Sequence, residues 1–402
     1  MVEKADIIVG IPSYNEADNI HFVAEQADKG LRKYFPDMKG LIINVDNNSP
    51  DNTKDAFLNT KTGTEKQYIT TAPGVKGKGN NFYNLFKACT YSGAKAVVVV
   101  DADLKSITPE WVNFLATPVL ESYDFVTPLY SRHKYDGTIT NNIMYPLIYG
   151  LLGKNIRQPI GGDFAFSPRL AEHWLNQEWT ETTRQYGIDN FMTSHALFGG
   201  FKVCQAGLGA KIHKVSQPKL NEMFIQVVTT FFDTILSNHK GWLDVELLEE
   251  IPTYGLKKMD KPQKLEVDCE EMKRTATYEF FKNRPLLRNI LSEGNYLYMN
   301  RCLKEQAYDI DHDRWARTVY DLIASYSRAG SKAEVIEAIK PLYFARIVSF
   351  VNDTIDYGHE RAEDEIRLQA ECFRKHKPYL CELLAKSRPQ SLESPARQGQ
   401  TD

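Results

Sequence analysis

Short apolar runs alternate with helical patterns over the first two hundred residues of the chain. Residues 6–11 (DIIVGI) and 41–45 (LIINV) are β-branched runs that predict strands. Residues 67–71 predict a third, and 96–100 (AVVVV) a fourth. Between them, residues 16–34, 52–58 and 81–92 carry helical spacing. Continuous apolar runs bounded by turns mark strands buried on both faces, and their alternation with helices predicts a mostly parallel α/β sheet. Such sheets bind ligands beyond the carboxyl ends of their strands, so the residues just after each run are the candidates for chemistry.

Beyond Lys214 the strand-like runs stop. Helical spacing takes over at residues 221–238, 269–281, 314–327, 332–356 and 363–387, and a stretch rich in Pro, Lys and Gly at 251–267 reads as a connector. Residues 388–402 are polar and read as a disordered tail. The expected organisation is a catalytic unit over 1–218 and a helical region over 219–387, followed by the tail. The amphipathic helices suit a homodimer better than a membrane surface.

The 402 residues suggest two or three domains of roughly 100–200 residues each. With 49 basic and 52 acidic residues the balance is near neutral, which gives no global reason to expect nucleic acid as a partner. Six cysteines without a CxxC pair suit reduced thiols and offer no zinc spacing. The N-terminal stretch lacks the apolar core of a signal peptide. The longest apolar stretch, 143–152, is half of the ~20 residues a transmembrane helix needs. A cytoplasmic protein without a transmembrane segment is expected.

The strongest chemical signal is Asp101-Ala102-Asp103, directly after the fourth run. Two carboxylates at the end of a buried strand suit Mg²⁺ or Mn²⁺, which in turn grips a diphosphate. The pattern alone is common, since Asp309-Ile310-Asp311-His312-Asp313 repeats it. That second run lacks the glycine and terminal glutamate of a calcium loop and reads as a solvated turn. The loop at 73–80 (PGVKGKGN) lacks the ending of a nucleotide-binding P-loop, and no GxGxxG follows the first run. Lys76 and Lys78 remain candidates for phosphate oxygens.

Several segments together resemble the GT-A glycosyltransferases. They are Pro12-Ser13-Tyr14-Asn15-Glu16, Asp46-Asn47-Asn48-Ser49-Pro50, Gly77-Lys78-Gly79, Asp101-Ala102-Asp103, Gly137-Thr138-Ile139-Thr140, Gly161-Gly162-Asp163, Tyr186-Gly187-Ile188-Asp189 and Leu208-Gly209-Ala210-Lys211-Ile212-His213. Within that superfamily, the last four segments in this order are similar to the retaining group that includes the glucosyl- and mannosyl-3-phosphoglycerate synthases and glucosylglycerate synthase. The resemblance spans residues 6 to about 218. It implies a Rossmann-like sheet followed by helices and a nucleotide-diphospho-sugar donor (UDP-, GDP- or ADP-hexose). The acceptor it implies is a small hydroxy acid such as glycerate, 3-phosphoglycerate or a glycosylglycerate. Pro12, Tyr14, Glu16, Asp46, Asn47, Lys78, Asp101 and Ala102 would hold the donor. Asp103, His213 and Asp101 would hold the divalent cation. Arg132, Thr138, Thr140, Gly161, Gly162 and Asp163 would face the acceptor. Asp189, with Asp103, would serve catalysis.

Two departures bear on the acceptor. Thr138 stands where the phosphoglycerate enzymes carry Arg, and Val215 and Ser216 where they carry Asn and Arg. A guanidinium grips a phosphate bidentately and Thr cannot. Arg132, Lys134, Arg157 or Lys214 are the candidates for the missing charge. The rival readings are an inverting family-2-like transferase with Asp189 as general base, a sugar nucleotidylyltransferase, and a catalytically silent binding protein. The second lacks its Gly-rich loop after the first strand, and intact Asp101, Asp103 and His213 disfavour the third.

Overall fold

The computed structural model describes residues 2–214, 220–256, 262 and 264–386. Val215, Ser216 and the expected tail lie outside them. Among the described residues ten strands run in chain order: β1 (Ile7–Ser13), β2 (Gly40–Asp46), β3 (Glu65–Thr70), β4 (Ala96–Val99), β5 (Phe125–Ser131), β6 (Lys154–Asn155), β7 (Phe164–Phe166), β8 (Val203–Ala210), β9 (Glu249–Glu250) and β10 (Thr253–Gly255). Eight form one sheet in the order β10-β8-β5-β7-β4-β1-β2-β3, and β6 pairs with β9 apart from it. All pairings in the large sheet are parallel except those of β7 with β4 and β5.

The helices are α1 (Ile20–Tyr34), α2 (Thr53–Asn59), α3 (Lys78–Ser92), α4 (Pro109–Glu121), α5 (Tyr145–Leu147), α6 (Pro168–Leu175), α7 (Ile188–Phe198), α8 (Leu220–Ser237), α9 (Cys269–Lys282), α10 (Arg284–Ile290), α11 (Glu293–Lys304), α12 (His312–Arg328), α13 (Lys332–Thr354) and α14 (His359–Ala385). Alternate residues of β1 serve opposite faces, as the two-residue period of a strand requires. Ile7, Val9 and Ile11 pack with Ile20 and Val23 of α1 and with Val112 of α4. Ile8 packs with Leu85 and Phe86 of α3 on the other face, beside Trp174 of α6. The mostly parallel α/β architecture read from the sequence is thus present, with helices on both faces.

The helical half is not a separate appendage. The apolar run near residue 143 forms a continuous helical stretch of Thr140–Met144, α5 and Ile148–Leu152, whose outer parts are π-helical. Its Ile143, Leu147 and Leu151 share one apolar core with Phe231 of α8, Trp315 of α12 and Tyr343 of α13. The expectation that strands end at Lys214 needs correction. β10 lies beyond residue 218, at the edge of the large sheet, with Gln205 opposite Thr253. Three residues are too short a run to stand out by periodicity. The acidic run at 309–313 is a helix start: Asp311 accepts from the Arg314 backbone N–H at 2.7 Å, and Asp313 pairs with Lys375 at 2.9 Å.

Candidate active site

β4 delivers Asp101-Ala102-Asp103 to the carboxyl edge of the sheet. The side-chain amide of Asn19, just ahead of α1, donates to the carbonyls of Ala102 and Leu104 at 2.9 Å each and so fixes the turn after the strand. Gly162 lies against Asp101. Its φ is +88° and a Cβ there would sit 2.1 Å from Asp101 Oδ2, so only glycine fits.

Two lysines hold Asp101 from opposite sides. Lys78 Nζ is 3.1 Å from Oδ1, and Lys211 Nζ donates to Oδ2 at 2.9 Å. Lys78 also reaches Asp189 Oδ1 at 3.3 Å. Lys211 donates further to Asp163 Oδ2 and the Gly161 carbonyl at 2.8 Å each. Burial opposes the charged form of Asp101, but the charges of Lys211 and Lys78 outweigh it and hold the carboxyl well below the usual range. Asp189 receives less compensation: burial raises its carboxyl despite Lys78.

Lys78 owes its position to a backbone clasp. The N–H groups of Gly79 and Asn80 donate to the carbonyls of Gln185 and Arg184 at 3.1 Å each. A Cβ at Gly79 would fall 2.0 Å from the Thr183 carbonyl. The glycines of the Gly77-Lys78-Gly79 segment therefore let the start of α3 press against the loop that leads to Asp189.

Asp103 faces the other way. Its carboxylate makes no hydrogen bond among the described residues, and Oδ2 lies 4.0 Å from Nδ1 of His213, which follows β8. Burial and the neighbouring Asp101 charge raise the Asp103 carboxyl. Burial, then Lys211 and Arg132, lower His213 and favour its neutral imidazole. One free carboxylate and one neutral imidazole across a gap form a donor set that suits a divalent cation sharing its other positions with phosphate and water. Among the described residues no group of three His, Cys, Asp or Glu side chains is close enough to hold a metal unaided.

On the β1–β2 side, Pro12 lies within β1 and Asp46 ends β2. Asp46 is fully committed. Its carboxylate accepts from the Ser13 hydroxyl (2.7 Å), the Ser49 N–H (2.8 Å) and hydroxyl (2.6 Å), and the Tyr68 hydroxyl (2.9 Å). It is therefore occupied in holding the loops at this edge of the sheet. Asn47 beside it is buried with Oδ1 unpartnered. Lys76 Nζ donates to the Tyr14 hydroxyl at 2.7 Å, and Lys214 bonds Glu16 at 2.7 Å and Asp18 at 2.8 Å.

The residues expected at the acceptor divide. Asp163 is wholly buried, accepting from the Asp101 N–H at 2.7 Å, from Lys211 and from the Tyr130 hydroxyl, so its role is internal. The Thr138 hydroxyl bonds Tyr343 of α13 at 2.6 Å, which turns it from the site to the helices. Arg132, Gly137 and Thr140 line one small cleft with Gln158.

Residues 8–176 match the model of glycosyl transferase family 2. The match covers less than half of the chain and ends before β8 and the helical half. No curated protein matches the chain significantly. Similar solved structures include glucosyl-3-phosphoglycerate synthase from Mycobacterium tuberculosis with Mn²⁺, UDP and glucosyl-3-phosphoglycerate. It is 23% identical over 57% of this chain and 80% of that one, with a TM-score of 0.47. The same protein with Mg²⁺ and UDP gives 23%, 57%, 79% and 0.46.

The site is completed by residues that spacing did not single out. Lys211 sits inside the Leu208–His213 segment, yet its role comes from three partners far apart in sequence. The only local signal is a lysine at the end of an apolar strand, where burial demands counter-charges. Tyr130 and Asn19 carry no such signal.

Proposed function

We propose that the chain transfers a hexose from a nucleotide-diphospho-sugar to a small hydroxy-acid acceptor, with retention at the anomeric carbon, using Mg²⁺ or Mn²⁺. The observation that carries this reading is the opposition of Asp103 and His213 at 4.0 Å beside the Lys78–Asp101–Lys211 ion-pair chain. Asp103 and His213 would hold the cation, while Asp101 is engaged by the lysines and belongs to the frame around it. When bound, the cation neutralises charge on the departing diphosphate.

The chain's own groups supply the rest. Lys78, 3.3 Å from Asp189, positions that carboxyl in the cleft and opposes the effect of its burial. Asp189 orients the acceptor hydroxyl or the sugar rather than forming a covalent intermediate. Glycine at 161 and 162 lets the backbone approach the sugar closely. Asn47, with its buried free carbonyl oxygen, contacts the nucleoside from a loop shaped by Asp46. One observation favours a second reading, inversion with Asp189 as general base: burial raises the proton affinity of that carboxylate.

Among the described residues no helix is long and apolar enough to cross a membrane. The decisive experiment is a matrix of UDP-, GDP- and ADP-hexoses against glycerate, 3-phosphoglycerate and glucosylglycerate, with and without Mg²⁺ or Mn²⁺. NMR then fixes the anomeric configuration of the product. Transfer in one combination, lost on chelation, is the expected result; no transfer in any combination, with release of pyrophosphate from a nucleoside triphosphate and a hexose 1-phosphate instead, would overturn the reading.

A further inference from the structure

Helix α8 lies against the loop that leads to Asp189. Gln226 and Thr230, one turn apart on this helix and so on one face of it, both bond the loop. The side-chain oxygen of Gln226 accepts from the Tyr186 N–H at 3.0 Å, and the Thr230 hydroxyl donates to the Thr182 hydroxyl at 2.8 Å. Thr230 is 3% exposed, and the contact leaves no slack: a Cβ on Gly187 would fall 2.1 Å from Thr230 Oγ1 and 2.6 Å from the Thr182 carbonyl. The Gly187 N–H donates to that same carbonyl at 3.0 Å, which closes residues 182–187 on themselves. Asp189 follows at once, as the second residue of α7.

The same loop holds the start of α3. The Gln185 and Arg184 carbonyls accept from the Gly79 and Asn80 N–H groups, and the Arg184 guanidinium donates to the Asn80 side chain at 3.1 Å. Lys78 and Asp189 thus meet across 3.3 Å from two helix starts that are both fastened to one short loop. The fastening on α8 is rigid. Val227, Val228 and Phe231 are buried in the core shared with Ile143 and Trp315, and the Phe224 ring stacks on Tyr343 with centroids 4.4 Å apart. A helix set in a close-packed core cannot follow the loop if the loop moves.

We propose that Gln226, assisted by Thr230, is a positioning residue for the Lys78–Asp189 pair: through the 182–187 loop, α8 sets where two charged side chains on other helices stand. The proposal rests on the transferase reading for the duty of Asp189, and its own content is mechanical. Without the Gln226 oxygen the partly buried Tyr186 N–H loses its partner, and the loop must shift to satisfy it. That shift moves the carbonyls that clasp α3 and the backbone that opens α7 together. A misplacement of about 1 Å far from the chemistry costs on the order of a hundredfold in rate.

The test compares Gln226→Met, which keeps the length and removes the acceptor, with Gln226→Glu, which keeps an acceptor oxygen at the same reach. Two quantities are read on the full chain: amide hydrogen exchange in peptides covering residues 78–81 and 182–190, and kcat for hexose transfer at saturating substrates. In Gln226→Met exchange should quicken at least tenfold in both peptides together, and kcat should fall at least tenfold. Gln226→Glu should return both to within threefold of the wild type. A merely structural glutamine would lower the melting temperature and leave kcat of the folded chain unchanged. Thr230→Val, which removes the hydroxyl and keeps the shape, carries the same readouts in the same direction if the Met variant does not fold. Faster exchange confined to residues 182–190, unchanged exchange in both peptides, unchanged kcat, or no rescue by Gln226→Glu would each overturn the proposal. A wild-type chain that transfers no hexose would instead overturn the transferase reading, and exchange in the two peptides would then decide by itself whether α8 holds the pair.

Discussion

Lys78 lies 3.3 Å from Asp189, although the two residues are carried by different helices on different loops. Burial raises the Asp189 carboxyl and the Lys78 ammonium opposes that rise within reach of the cleft. Removing that charge leaves two acids, Asp101 and Asp189, without their shared counter-ion. Lys78→Met should cut kcat at least a hundredfold, in line with the ~3 kcal/mol that one preorganised electrostatic contact contributes. Steady-state kinetics with saturating donor checks it; a purely structural lysine would lower thermal stability and leave kcat intact.

On the proposed reading Asp103 and His213 would supply the ligands for a cation. Nucleoside diphosphate plus Mn²⁺ should raise the melting temperature of the wild-type chain, since a ligand that binds only the native state stabilises it by mass action. In Asp103→Ala and in His213→Ala the Mn²⁺-dependent part of that rise should disappear, and sugar transfer should fall by at least two orders of magnitude. Differential scanning fluorimetry with and without chelator separates metal loss from unfolding.

Gly162 tests the frame. An alanine there would place a methyl carbon 2.1 Å from Asp101 Oδ2 at a backbone φ of +88°. The variant should lose about 1–3 kcal/mol of stability from the strained backbone alone. Its activity should fall further than that loss explains, because Asp101 must turn from one of its lysines. Denaturant titration beside kinetics reads both quantities.

Arg157 and Glu363 join the sheet side to α14 by two hydrogen bonds. Burial works to raise the Glu363 carboxyl, but the Arg157 charge and hydrogen bonds prevail and hold it below its ordinary value. A carboxyl depressed in the native state contributes stability that is present above the unfolded pKa of roughly 4.3 and disappears as pH falls through the lower native value. The wild-type chain should thus lose stability on acidification across and below that range more steeply than Glu363→Gln does. Melting temperatures recorded from pH 7 to pH 3 give the comparison.

The strands that carry the chemistry were legible because each is a buried apolar run that ends abruptly in polar residues. Asp101, Asp103 and His213 stand at such ends, and the helices between them follow ordinary periodicity. What escaped reading depends on contacts between distant segments. The committed carboxylate of Asp46 needs Tyr68 and Ser13 beside it. The inward turn of Asp163 needs Tyr130 and Lys211. The partnership of Thr138 with Tyr343 joins positions 205 residues apart. The short strand β10 and helices α10 and α11 are stabilised by neighbours rather than by their own pattern.

The stretch from Lys134 to Asn142 is bolted to helices that follow much later in the chain. Lys134 caps α13, Thr138 meets Tyr343, the Asn141 carbonyl accepts from Gln369 at 2.8 Å and the Asn142 carbonyl from Trp315 at 2.7 Å. A graft of the sheet half onto foreign helices would therefore inherit an unfastened rim around its cleft. The helical half is part of the jig that sets which molecules the cleft admits, and exchanging it is a route to changing that choice without touching a strand.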